Sequence, residues 1–124
     1  MKRTQRLLSA LLSVALLGAS APALAAGALA IDSNQGPAYG FSYDYAQMAD
    51  AERRALSECG RNCRVVLRFQ TGCGAYAADQ TRGSTIYGWG TSSSRDGAQN
   101  RALDECGRAG GRRCIVRVWG CNSN

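Results

Sequence analysis

The chain has 124 residues, with 15 Lys and Arg against 9 Asp and Glu, six cysteines and no histidine. That length holds one small domain and a leader, and the missing histidine removes Ser-His and Cys-His nucleophile activation and the commonest general base. Without Lys2, Arg3 and Arg6, twelve arginines face nine acids, a net of +3; nucleic-acid binding, which rests on many clustered phosphate contacts, is not expected from so small a surplus.

Residues 1–25 have the three parts of a secretory signal peptide. Lys2, Arg3 and Arg6 form a basic start, Leu7 to Leu17 an apolar run, and Ala23-Leu24-Ala25 a small-residue cleavage site. The apolar run is shorter than the ~20 residues that span a bilayer, so no membrane span is expected after cleavage. No cysteine precedes Cys59 to carry a lipid anchor. The expected product is a single domain over residues 26–124, periplasmic or extracellular.

Within that domain one octapeptide occurs twice. Residues 54–61 read Arg-Ala-Leu-Ser-Glu-Cys-Gly-Arg and residues 101–108 read Arg-Ala-Leu-Asp-Glu-Cys-Gly-Arg, differing only at Ser57 and Asp104. Near-identity at a fixed offset signals internal duplication. The units are expected to cover residues 27–73 and 74–121.

In chain order, each unit opens with a short strand ended by Asp and a turn-prone segment: Gly27 to Asp32 and then 33–37, Gly74 to Asp79 and then 80–84. A second strand comes next. Tyr39, Phe41 and Tyr43 alternate with Ala38, Gly40 and Ser42, and Tyr87 and Trp89 alternate with Ile86, Gly88 and Gly90, giving each hairpin one bulky and one small face. The third element is a helix. Asp44 with Gln47, and more loosely Ser93 with Asp96, suggest capping boxes. Ala51, Ala55, Leu56 and Cys59 share one helical face, as do Ala98, Ala102, Leu103 and Cys106. Gly60 and Gly107 are placed to end the helices. The last element is a strand: Cys63, Val65, Leu67 and Phe69 on one face with Arg64 and Arg68 on the other, and Cys114 to Trp119 in the second unit. The expected fold is α+β, two tandem β-β-α-β units about a pseudo-twofold axis, stapled by disulfides.

Six cysteines allow fifteen pairings, and equivalent cysteines should have equivalent partners. Two symmetric schemes are weighed. The favoured one joins Cys59 to Cys63, Cys106 to Cys114, and the closing pair Cys73 to Cys121, the last cross-linking the units. Its rival joins Cys59 to Cys73, Cys106 to Cys121 and Cys63 to Cys114. An exported protein is expected to hold all six oxidised; oxidation, unequal spacings and the absent histidine leave no metal and no cofactor expected. A redox pair is also not expected, because Cys59 ends a helix instead of starting one.

Paired carboxylates are the remaining route to catalysis. Asp32 and Asp79 end equivalent strands and could face each other as a small hydrolase's pair, but aspartates at such positions ordinarily bind their own turns. Glu58 with Arg54, and Glu105 with Arg101, read as solvated i,i+4 helix pairs. The aromatics at strand spacing are expected mostly in the core, with Trp89 and Trp119 partly exposed. Trp89, Trp119, Arg64, Arg68 and Arg117 form the candidate binding surface.

The Tyr-Gly-aromatic strand, the Ala-Leu-x-x-Cys helix end, Cys63-Arg-Val-Val and the closing cysteines resemble the secreted bacterial family called domain of unknown function 4189, over roughly Gly27 to Cys121. The resemblance implies a small exported cysteine-rich protein and brings no catalytic residue with it. The function expected is an exported, non-catalytic binding module for a protein or cell-envelope component. A carboxylate hydrolase using Asp32 and Asp79, and an effector-like or structural envelope protein, are the alternatives.

Overall fold

The computed structural model describes residues 25–32 and 37–123. The signal peptide read over residues 1–25 lies, except for Ala25, outside the described residues, as does most of the first turn. Among the described residues the elements run β1 (Ala26–Asp32), β2 (Tyr39–Tyr45), α1 (Met48–Cys59), β3 (Cys63–Phe69), β4 (Cys73–Asp79), β5 (Tyr87–Ser92), α2 (Arg95–Arg108) and β6 (Cys114–Cys121). The protein is α+β. Both sheets are three-stranded and antiparallel, ordered β2-β1-β3 and β5-β4-β6, with the first strand of each half in the centre.

Period-two patterning decides the layers. On one face of the first sheet Ala26, Ala28 and Ala30 meet Ala51, Ala55 and Cys59 of α1. On the second, Cys73, Ala75 and Ala77 meet Ala98, Ala102 and Cys106 of α2. Small side chains on both sides bring helix and strand backbones close. A Cβ on Gly40 would collide with the Ala55 carbonyl, and one on Gly88 with the backbone at Ala102 and Cys106. The opposite, bulky faces pack against each other: Leu29, Ile31, Phe41 and Phe69 of the first half close over Tyr76 of the second. The layers therefore run helix, sheet, sheet, helix. Burying Leu29 or Ile31 fully in the middle is worth ~1.5–3 kcal/mol each.

Both third strands carry a bulge at the same place. The β1–β3 register passes from Leu29↔Leu67 to Ala30↔Val65, and the β4–β6 register from Tyr76↔Val118 to Ala77↔Val116. Val66 and Arg117 are the extra residues, and each reverses the facing of the rest of its strand. This corrects the expectation of one apolar face on β3. Cys63 and Val65 pack toward α1, whereas Leu67 and Phe69 lie between the sheets. Arg64 and Arg68 are accordingly on opposite faces, and Arg68 reaches Glu52 of α1 at 2.8 Å.

The helix ends also differ from expectation. Gln47 is the N-cap of α1 and makes no side-chain cap; Asp44 instead adopts φ +65° and accepts from the Ser123 N–H at 2.7 Å. Ser94, not Ser93, caps α2, accepting from the Gly97 N–H at 3.0 Å. Gly60 does stop α1, with φ +116°. Helix α2 passes through Gly107 to Arg108, and Gly110 takes the positive φ, because the longer connection to Cys114 leaves room for two more helical residues.

The disulfides are Cys59–Cys63, Cys106–Cys114 and Cys73–Cys121. The first two tie each helix end to the strand after it. The third, contrary to expectation, does not join the halves. Cys73 opens β4 and lies directly across from Cys121 in the same sheet, Cα atoms 3.9 Å apart. The clasp between halves is polar: buried Asn122 accepts from the Asp44 N–H at 2.8 Å, donates to the Phe69 carbonyl at 3.2 Å, and gives its own N–H to Gly72 at 2.9 Å. Three closed disulfides suit an oxidising, non-cytoplasmic compartment. Among the described residues no helix is long and apolar enough to cross a membrane.

Candidate functional site

Strands β2 and β5 are the equivalent outer strands of their sheets, and each would leave a row of backbone N–H groups facing outward. In the first half one amide of that edge is satisfied from within. Glu58, on the last turn of α1, accepts from the Phe41 N–H at 3.3 Å with one oxygen and from Arg54 Nε at 2.7 Å with the other. One carboxylate thus satisfies an edge amide and an arginine together.

The second half has the same parts in a different arrangement. Trp89 pairs with Tyr76 as Phe41 pairs with Leu29, so its N–H also points outward. Arg101 and Glu105 occupy the α2 positions of Arg54 and Glu58, yet among the described residues neither takes an ion-pair or side-chain hydrogen-bond partner. This corrects the reading of both helix pairs as alike. The cause is on the strand. In the first half Ser42 sits beside α1 and donates to the Ala51 carbonyl at 2.6 Å, filling the space between strand and helix. Its counterpart is Gly90, and the stem of Arg101 lies where a Gly90 side chain would be. Meanwhile Asp104, the one acidic change in the repeated octapeptide, pairs with Arg108 at 3.0 Å.

The result is a groove of about 460 Å³ along the β5 edge, with Leu67, Tyr87 and Trp89 on one side and Arg101, Glu105 and Ala109 on the other. Its aromatic wall continues inward through a chain of neighbouring rings: Trp89 on Tyr87 at 5.7 Å, Tyr87 by Tyr76 at 6.3 Å, and Tyr76 by Tyr39 at 5.0 Å. The Arg117 guanidinium caps the far end, 5.5 Å from the Tyr39 ring. Burial pushes the Tyr76 phenol up, partly offset by the Arg117 charge, so the phenol is neutral at ordinary pH. Each ring of the wall packs against a neighbouring ring.

The five residues expected to form a surface are not brought together. Trp89 is half-buried in the groove. Trp119 lies on the other face of the second sheet, 41% exposed, with the Arg95 guanidinium 5.1 Å from its ring. Arg64 is exposed, Arg68 is engaged by Glu52, which raises its pKa further, and Arg117 sits on Tyr39. Sequence reasoning misses Arg101, Glu105 and Leu67 as a site. The signal for them is the Ser42-to-Gly90 difference between units otherwise alike at Tyr-Gly-aromatic.

Asp32 and Asp79 close their hairpins: the Asp32 N–H donates to the Ala38 carbonyl at 3.2 Å and the Asp79 N–H to Ile86 at 2.9 Å. The Asp79 carboxylate binds Ser84, the backbone N–H groups of Thr81 and Arg113, and the Thr81 hydroxyl, and together these outweigh an opposing desolvation and hold it at about 2. So anchored and so acidic, it is a turn-former and a poor proton donor, which gives the hydrolase alternative no support at this residue.

Comparison with known proteins agrees with this architecture. The Mycobacterium tuberculosis (strain ATCC 25618 / H37Rv) Protein Rv1269c and the Mycobacterium bovis (strain ATCC BAA-935 / AF2122/97) Protein Mb1300c are each 37% identical over 97 residues, covering 77% of this chain and 68% of the relative. The NMR structure of Rv1813c from Mycobacterium tuberculosis superposes with a TM-score of 0.57 at 27% identity, over 97% of this chain and 95% of that one. The profile of the domain of unknown function DUF4189 matches residues 26–121, and the chain belongs to that family.

Proposed function

We propose that this protein is an exported, non-catalytic binding module that recognises a protein partner in the periplasm or outside the cell, through the groove between β5 and α2. The two halves, on this reading, descend from one duplicated β-β-α-β unit related by a pseudo-twofold axis. The first half became the closed scaffold and the second kept an open edge for recognition. The observation that carries the reading is the divergence at equivalent edges: Glu58 seals β2, whereas Arg101 and Glu105 frame β5 without sealing it. A packed aromatic wall facing an arginine that has no partner among the described residues is the composition that anchors protein interfaces. The leader at residues 1–25 and the three disulfides support export.

Affinity capture from cell-envelope extract under oxidising conditions tests this. The same partner should be retained by wild type and Trp119→Ala and lost by Trp89→Ala and Arg101→Ala. Arg101→Gln, which keeps the stem over Gly90, separates loss of the charge from loss of packing. Equal capture by all four proteins, or none by any, overturns the assignment.

A further inference from the structure

The first half of the molecule contains, as part of itself, an occupied version of the second half's groove. At β2 a carboxylate bridges the outward N–H of Phe41 and the Nε of Arg54. At β5 the same two donors recur, the outward N–H of Trp89 and the guanidinium of Arg101, at the same register and helix positions. From this we infer that the β5 groove captures the free C-terminal carboxylate of an extended peptide, its last side chain resting on Tyr87, Trp89 and Leu67. The inference rests on the binding-module reading and specifies its ligand.

Charge-assisted hydrogen bonds from a backbone amide and an arginine recognise any carboxylate. The geometry favours a main-chain one. Glu105 already offers a side-chain carboxylate from within the protein, at the effective concentration of a tethered group, roughly millimolar. A ligand bringing only another side-chain carboxylate gains nothing over Glu105. A peptide C-terminus brings more, because the residues behind it extend along β5 and pair with the next outward-facing backbone groups, adding a strand to an open edge. The groove is also partly apolar, with Leu67, Trp89 and Ala109 beside Arg101, which suits an apolar terminal residue. The contrast with β2 is built in: there Glu58 stands in the carboxylate's place and no outside peptide should bind.

The test uses the disulfide-intact protein labelled with ¹⁵N and a mixture of hexapeptides with randomised last two residues, supplied with either a free carboxylate or an amidated C-terminus. The free acids should shift the Trp89 amide and Arg101 Nε signals and leave Phe41 and Arg54 unmoved. Amidation or Arg101→Gln should weaken binding about tenfold or more, Arg54→Gln should leave it unchanged, and Glu105→Gln should strengthen it severalfold by removing a like charge from beside the captured carboxylate. Equal shifts from acid and amide overturn carboxylate capture while leaving a peptide-binding groove. If no peptide moves these signals but envelope capture still depends on Trp89 and Arg101, the ligand class is wrong and the binding module stands. Failure of both experiments removes both.

Discussion

The two edge strands of this protein, β2 and β5, start from the same Tyr-Gly-aromatic opening and end in opposite states. Glu58 turns back onto β2, and the strand is finished; Arg101 lies over Gly90, and β5 is left with its helix-side charges apart. The octapeptide on the helices does not make this difference, since the arginine and glutamate are common to both. It comes from the strand opposite, where a buried Ser42 stands in one half and a glycine in the other. A repeated motif therefore fixes where the charges are placed, and its neighbour fixes what they do.

The disulfides give the strongest way to break the symmetry. Cys73→Ala with Cys121→Ala opens a 48-residue loop, expected to cost about 4 kcal/mol in the chain-entropy model, against about 2 kcal/mol for Cys59→Ala with Cys63→Ala. Urea unfolding measures both, and hydrogen exchange in the first pair should quicken in β4–β6 before β1–β3. The helix–strand approach should be equally unforgiving in both halves: Gly40→Ala and Gly88→Ala each press on helix backbone and should lose ~1–3 kcal/mol in the same assay. A tolerant Gly88 beside an intolerant Gly40 would mean α2 sits more loosely than α1.

Smaller changes sharpen the comparison. Glu58→Gln weakens the closed edge and should lose ~0.5–1.5 kcal/mol, whereas Glu105→Gln should leave thermal stability unchanged. Gly90→Ser restores the first half's strand and should drive Arg101 off β5 onto Glu105. The Arg101 Nε–H signal in NMR would then move as it gains the Glu105 carboxylate, and an unmoved signal would contradict the steric account. The smallest effect is at the turn after β4. The Asp79 carboxyl falls from the usual 3.8 to about 2 on folding, so it stabilises the folded state above about pH 4, and that contribution is lost as pH falls toward 2. Asp79→Asn should flatten acid unfolding over that window.

Element order, the alanine faces and the small-versus-bulky hairpins could be read from the residues alone, because strand and helix periods are local consequences of backbone geometry. Symmetry also cut the fifteen cysteine pairings to seven, the observed set among them. Which elements the bridges connect could not be read that way. Counting along the chain puts Cys73 at the end of the first unit, while sheet register puts it at the start of β4, across from Cys121. The bulges at Val66 and Arg117 are invisible to an alternation pattern for the same reason: one extra residue reverses a face only once a partner strand sets the register. The groove was the least legible feature. Arg101 and Glu105 look identical to Arg54 and Glu58 in sequence, and they diverge through a glycine that is distant in the chain and adjacent only after folding.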